Sequence, residues 1–404
     1  MGFITATMFL NFAGLTIIIP VIPYITERYT THIALFVGLL TSTAAFCQFL
    51  ATPALGYLSD MYGRRPVILW SLLGGVIGYL VFGIGGSLGM LFVGRIIDGL
   101  SGGDTTAMYA YVADVFPSKD RAKYYGMLGA AAALGFMAGP VIGGLAARIS
   151  LTAPLFVAAG ISLLNICWGY VALPESLKPE HRVATFHIRD LNPLVHFRLV
   201  FSSSPLRVLL LITGVFFTGL IMQQSNFSVF LKDMLHWGPT NIGIVLTLVG
   251  LVDFVAEGYL TGKLTPMLGE MKLLHMGIVL TMGGMLLVGT VAFTTSAMTL
   301  YAAIILYSLG DGLFEPAMTT LIANATDPPM QGRVQGANQS IQSIARVLAP
   351  LMAGLCYEVR AYMPYFMSAL LMAVLLVLLR FSTSSLPVAR RRAPVNAPHV
   401  EASP

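Results

Sequence analysis

The sequence predicts an all-α membrane protein: twelve transmembrane helices in two pseudo-symmetric six-helix bundles. Three observations carry this expectation. The 404 residues are 56% hydrophobic and only 10% charged, with a mean hydropathy of +0.79, too little charge to keep a soluble surface in water. The apolar residues fall into twelve runs close to the roughly 20 residues a spanning helix needs. A glycine-and-charge stretch, Gly56-Tyr-Leu-Ser-Asp60-Met-Tyr-Gly63-Arg64-Arg65, returns in worn form half a chain later as Gly258-Tyr-Leu-Thr-Gly262-Lys263, followed by Gly269-Glu270. Such a repeat is what two copies of one unit would leave.

The runs lie at about 3–25, 33–58, 67–85, 90–113, 124–147 and 151–173 in the first half, and at about 206–231, 239–261, 271–293, 298–323, 333–356 and 362–381 in the second. No basic segment and small-residue cleavage site precede the first run, so it reads as a spanning helix and not a signal peptide. The expected units are therefore an amino-terminal bundle over 1–173, a polar linker over 174–205, a second bundle over 206–381, and a tail over 382–404 whose Pro, Ala and Arg content predicts disorder.

Lys and Arg on alternate sides of the runs set the orientation. One side holds seventeen, including Arg64, Arg65, Lys119, Arg121, Lys123 and the linker and tail arginines, while the other holds Arg28, Arg148, Lys232 and Arg360. This bias places both termini, the linker and the Gly56–Arg65 stretch in the cytoplasm of a plasma membrane, the inner membrane in a bacterium. The net charge of +5 is spread over short loops, a topology signal that offers nucleic acid no binding patch. Cys47, Cys167 and Cys356 sit inside apolar runs without metal-ligand spacing and read as packing thiols. Neither a metal nor a cofactor is called for, no enzymatic chemistry is expected, and the chain is expected to act as a monomer in the lipid bilayer.

Two arginines and six acids fall within the runs: Arg95, Asp98 and Asp104 in the fourth, Asp253 and Glu257 in the eighth, Asp311 and Glu315 in the tenth, and Arg346 in the eleventh. Intramembrane charge costs at least a few kcal/mol per residue, so such residues turn inward, pair, or line a transport path. Arg95 and Asp98 are three apart and can pair on one helical face, either structurally or as a partner exchange with a proton or a cation. Asp253 with Glu257 and Asp311 with Glu315 are each one turn apart. Like charges at that spacing in a low dielectric leave one member of each pair holding a proton. Glu257, near the cytoplasmic end, could equally serve only a gate. Arg346 is expected to neutralise Asp311. Asn11, Gln223 and Asn226 add neutral polar groups, and the Gln-Gln-Ser-Asn run at 223–226 interrupts an apolar helix near mid-membrane.

Gly56-x-Leu58-x-Asp60-x-x-Gly63-Arg64-Arg65 between the second and third runs resembles the loop signature of the major facilitator superfamily. Arg95-Ile-Ile-Asp98-Gly99 resembles that family's helix 4 motif, and Leu134-Gly135-Phe-Met-Ala-Gly139-Pro140-Val-Ile-Gly143-Gly144 its helix 5 antiporter motif. Within the family the chain is most similar to the twelve-helix drug:proton antiporters that include the tetracycline exporters. The resemblance implies the major facilitator fold, proton transfer at Arg95, and a cytoplasmic gate. In that gate Asp60 would pair with a neighbouring arginine and with the start of helix 11, and Asp114 and Arg121 would extend the network. Asn11 and Gly78 stand where tetracycline exporters carry aspartates, which points away from tetracycline itself. Independently of the resemblance, Gly135, Gly139 and Gly143 recur every four residues, so a neighbouring helix can approach closely, and Pro140 bends that face.

The expected function is secondary active transport, a proton-coupled antiport exporting amphipathic neutral or cationic small molecules by alternating access. A proton-coupled nutrient importer of the same fold, or a receptor or scaffold that keeps the fold without transport, are the alternatives. A nucleotide-driven pump is disfavoured because no phosphate-loop motif is present.

Overall fold

A computed structural model describes residues 1–183, 204–327 and 330–382; most of the expected linker and the tail lie outside these residues. The amino-terminal half is built from α1 (Gly2–Ile17), α2 (Ile22–Thr26), α3 (Ile33–Tyr62), α4 (Arg64–Ile84), α5 (Leu88–Ser101), α6 (Asp104–Val115), α7 (Ser118–Ala146) and α8 (Ala153–Ala172). The second half comprises α9 (Ser204–Ser225), α10 (Phe227–Leu235), α11 (Pro239–Val255), a π-helical segment (Ala256–Leu260), α12 (Thr261–Leu268), α13 (Glu270–Thr294), α14 (Ala297–Asn324), α15 (Gln331–Val359) and α16 (Met363–Ser382). No strand occurs among the described residues.

Nine of these stretches are long and apolar enough to cross a membrane, counting α11 through α12 as one. The three other expected spans depart from that standard for local reasons. The first is interrupted after Ile17 by a turn before α2, and the fourth breaks at Gly102–Gly103 between α5 and α6. The eleventh, α15, is long but carries Asn338, Gln339, Gln342 and Arg346 along its first half. The seventh also breaks, at Asn226, and continues as α10. Broken helices in a bilayer survive only where protein or water satisfies the freed backbone, which is the usual setting of a transport site.

The internal repeat has a structural counterpart. Gly63 (φ 111°) joins α3 to α4, and Gly269 (φ 77°) joins α12 to α13. Both backbones sit in a region closed to side chains with a Cβ, which is why glycine marks the two turns. The registers differ from the sequence expectation, which set Gly262 opposite Asp60. Counted back from the turn glycine, Pro266 occupies that place. The stretch from Gly258 to its turn glycine is four residues longer than that from Gly56 to Gly63, and it contains the π-helical turn at Ala256–Leu260.

Two seams join the halves: α3 lies against α15, and α7 against α11. Within the halves α1 packs on α7, α4 on α5 and α8, and α13 on α14 and α16. One apolar core lies around Phe216, Leu274, Phe314 and Met372 of the second half, another around Ile17, Leu40, Phe82 and Leu155 of the first, into which Val229 of α10 also packs.

Candidate functional site

Between α1 and α7 on one side and α11, the π-helical turn and α14 on the other lies a cavity of ≈ 250 Å³. Asp253, Glu257, Asp311 and Glu315 all line it, with Phe12, Phe136 and Phe254 as apolar wall. The sequence suggested two separate acidic pairs. The structure merges them, because α14 meets the π-helical turn at Gly312, where a Cβ would lie 2.6 Å from the Ala256 Cβ and 3.1 Å from the Asp253 carbonyl oxygen. Only a glycine permits that approach. Asp253 and Asp311 each keep one carboxyl oxygen, Oδ1, buried without a protein partner. Four carboxylates in so small a space cannot all be ionised without a counter-cation, so the cavity is suited to hold protons or a cation. Arg346 does not neutralise Asp311 as expected: its charged neighbour is Glu315, and it forms no ion pair among the described residues.

The amino-terminal charges form a second cluster outside this lining. Arg95 donates to Asp98 at 3.3 Å and lies over the Phe82 ring, 5.2 Å from its centroid. Gly78 makes room for the pair, since a Cβ there would come within 3.1 Å of the Asp98 Cβ. Asp104 sits at the break of the fourth span, accepts the Thr105 N–H at 2.8 Å, and has Asn11 beside it. Gln48 donates to the Gly102 carbonyl at 2.9 Å, satisfying one backbone group that the break exposes. Gln223 and Asn226, at the break of the seventh span, are completely buried and have no protein partner on any side-chain polar atom.

At the Gly63 end, Arg64 is the hub. It bonds Asp60 at 2.5 Å, Asp114 at 3.0 Å and the Ser59 hydroxyl at 2.7 Å. Glu175, which sequence reasoning left in the linker, caps α4: its carboxylate accepts from the backbone N–H groups of Arg64 and Arg65 at 2.9 and 3.2 Å, and of Ser176 and Leu177 at 3.0 Å. An acid at a helix amino terminus meets unpaired donors and partial positive charge. A Cβ on Gly63 would collide with this carboxylate, a second reason for glycine there. Gly56 approaches Thr106 of α6, Arg65 donates to the Tyr170 carbonyl at 2.6 Å, and Arg121 bonds the Phe116 carbonyl at 3.0 Å without joining the carboxylates. Asp60 makes no described contact with the start of α15, so the network closes within the first half.

The glycines of the fifth span face two ways. Cβ atoms on Gly135, Gly139 and Gly143 would strike the backbone of α1. Gly144 instead faces α11, where a Cβ would lie 2.7 Å from the Pro239 carbonyl oxygen, and Gly243 returns the contact onto Pro140. The other seam repeats this pattern: Gly38 of α3 meets the Pro350 carbonyl, and a Cβ on Gly354 would come 2.9 Å from the Leu35 Cα. Pro140 with Gly144 and Pro350 with Gly354 are thus equivalent pairs, four residues apart in each helix. The second pair escaped sequence reading although the spacing is visible in it.

Both seams close at the end that carries the 27–32 loop, here termed the outer end. Ion pairs join the halves there, Lys232 to Glu27 at 2.8 Å and His32 to Glu358 at 2.7 Å, and the Tyr24 hydroxyl donates to the Trp237 carbonyl. The described ion pairs at the Gly63 end stay within one half.

Two helical halves meeting at glycine seams around an acidic cavity define a multi-pass membrane transporter of the alternating-access type. The sequence profile of the Major Facilitator Superfamily matches residues 4–350 and, again, 277–401. The chain is 33% identical over 362 residues to the class C tetracycline resistance protein of Escherichia coli, covering 89% of each. It is 28% identical to multidrug resistance protein 2 of Bacillus subtilis, covering 91% of each. A bacterial homologue of the lysosomal transporter Spinster, solved inward-facing and occupied, shares the fold with a TM-score of 0.78 at 14% identity, covering 95% of this chain and 96% of that one. The chain belongs to the Major Facilitator Superfamily.

Proposed function

We propose that this protein is a proton-coupled antiporter that exports amphipathic neutral or cationic small molecules. The observation that carries this reading is the convergence of Asp253, Glu257, Asp311 and Glu315 on one aromatic-walled cavity between the halves. Carboxylates there bind either protons or an organic cation, and mutual exclusion between the two is what antiport needs. The related resistance proteins named above support export over import. In this reading the Gly63 end is cytoplasmic, as the Lys and Arg bias implies, and the molecule is closed outside and open inward. Asp60, held by Arg64, is then free of α15, and the gate would form when Asp60 swings to the start of α15 as the inner side closes. Gly135, Gly139 and Gly143 keep α1 locked to α7 so that the amino-terminal half rocks as one body, and Arg95, Asp98 and Asp104 set the charge on its inner face. The protein would act as a monomer in a bacterial inner membrane with both termini inside.

Reconstitution in phospholipid vesicles tests this. With a pH gradient imposed, ethidium should move against the proton flux, and Asp311→Asn should lower that movement at least tenfold. Movement in the same direction as protons would establish the importer; movement indifferent to the gradient would refute proton coupling.

A further inference from the structure

The second half contains a column of tyrosines that the cavity itself does not use. On α10, Phe227, Phe230 and Asp233 are spaced three residues apart and so lie along one face, each step advancing about 4.5 Å. Each meets a tyrosine from a different helix. Tyr307 of α14 packs edge-on against Phe227 with ring centroids 6.3 Å apart, and Tyr365 of α16 packs on Phe230 at 4.6 Å. Tyr357 of α15 donates its hydroxyl to Asp233 at 2.9 Å. The three phenols therefore descend one helix face from the outer end to the middle of the membrane.

Both ends of the column meet ionisable groups. Asp233 at the top neighbours Lys232, Glu27 and His236 as well as Tyr357. Tyr307 at the bottom is one turn before Asp311 on α14 and neighbours Asp253, Gln223 and Ser308, while Tyr365 between them has Tyr307 on one side and Tyr357 and Asp233 on the other. Tyr307 and Tyr365 are 1% and 0% exposed. If these side chains only filled the core, phenylalanine would serve and no hydroxyl would be stranded. Yet the Tyr365 and Ser308 hydroxyls, both side-chain polar atoms of Gln223, and Oδ1 of Asp253 and Asp311 are all buried without a protein partner. Buried polar atoms lacking protein partners are normally joined by ordered water.

We propose that this column is a proton path, with Asp233 as its outer portal and Asp253 and Asp311 as its destination. A proton accepted by Asp233 passes to the Tyr357 oxygen as that phenol releases its own proton inward. Through intervening water the exchange repeats at Tyr365 and Tyr307, ending as a new O–H bond on a cavity carboxylate. One O–H bond forms for each that breaks, and no phenol keeps a charge. Lys232, tied to Glu27 across the seam and 3.8 Å from Asp233, sets a positive charge beside the portal while the outer end is closed. The path is thereby shut in the state where it would leak and freed when the seam opens.

The inference rests on proton-coupled antiport, and the test separates the two. In vesicles, ethidium transport driven by a pH gradient is compared with ethidium counterflow at equal pH, which needs no net proton movement. Tyr365→Phe, which keeps the ring on Phe230, and Asp233→Asn should each lower gradient-driven transport about tenfold while counterflow stays within twofold of wild type. Gradient-driven transport within twofold of wild type in both variants would overturn the path. A parallel fall of counterflow would also overturn it, by making the hydroxyls structural. Wild-type protein that performs counterflow but ignores the gradient would refute proton coupling itself.

Discussion

Substituting alanine at Gly354 and Gly243 should open the outer seams. A Cβ on Gly354 would stand 2.9 Å from the Leu35 Cα and 3.0 Å from the Ala34 carbonyl oxygen; one on Gly243 would stand 3.0 Å from the Pro140 carbonyl carbon and 3.3 Å from the Gly144 Cα. These neighbours are backbone and cannot rotate away. Forcing a methyl group into a packed contact costs about 1–3 kcal/mol, and the cost falls only on the conformation in which the seam is closed. Each alanine should thus shift the balance towards the outward-open state roughly five- to 150-fold. The seams are separate and share no residue, so their effects should add. Spin labels at Thr31 and Ser296, in a background without the three native cysteines, would report the change by pulsed distance measurement. The long-distance population should grow in each single variant and dominate in the double. An unchanged distribution in the double variant would refute the view that glycine contacts hold the seam shut.

Three further outcomes are expected. Glu175→Ala removes an acceptor of four backbone N–H groups, two of them at the start of α4, and should destabilise the protein by about 1–2 kcal/mol, seen as a lower thermal midpoint in detergent with counterflow retained. Arg95→Ala strands the Asp98 carboxylate and should cut the folded yield sharply, whereas Arg95→Met combined with Asp98→Leu should restore the yield without restoring gradient-driven transport, because breaking a buried pair costs about 3–5 kcal/mol and replacing it whole costs little. Glu358→Gln breaks an exposed pair with His32 and should change stability by less than about 1 kcal/mol, measurable in the same thermal assay.

The order of the long apolar helices was legible from length and hydropathy, and α13 and α14 lie within a residue of their expected limits. Breaks were not. Gly102–Gly103 could have been read as a weak point, but Asn226 interrupts its helix without a glycine or proline. Arg95 with Asp98 could be paired from spacing, since a single helix fixes their relation. Glu175 could not be assigned, because its partners at Arg64 and Arg65 are more than a hundred residues away and only folding brings them together. The acids show the same boundary. Periodicity gave each pair its face, whereas their convergence depends on Gly312, a residue with no chemistry of its own.

That dependence bears on mechanism. Asp311 shares α14 with Gly312 and with Tyr307, and α14 touches the helix of Asp253 at the π-helical turn. Across the cavity, Phe12 and Phe136 belong to α1 and α7, whose glycine stripe makes them one rigid wall. The acids and Phe254 therefore sit on one body and Phe12 and Phe136 on the other, and rocking at the Pro140 and Pro350 seams would change the space between them. In the proposed antiport cycle a bound cation would hold the acids ionised and the cavity occupied, and its departure outward would leave like charges crowded together. Repulsion among them would raise their affinity for protons at the moment the outer side is open, and in that cycle the order of substrate release and proton uptake would follow from the seam without a separate sensor.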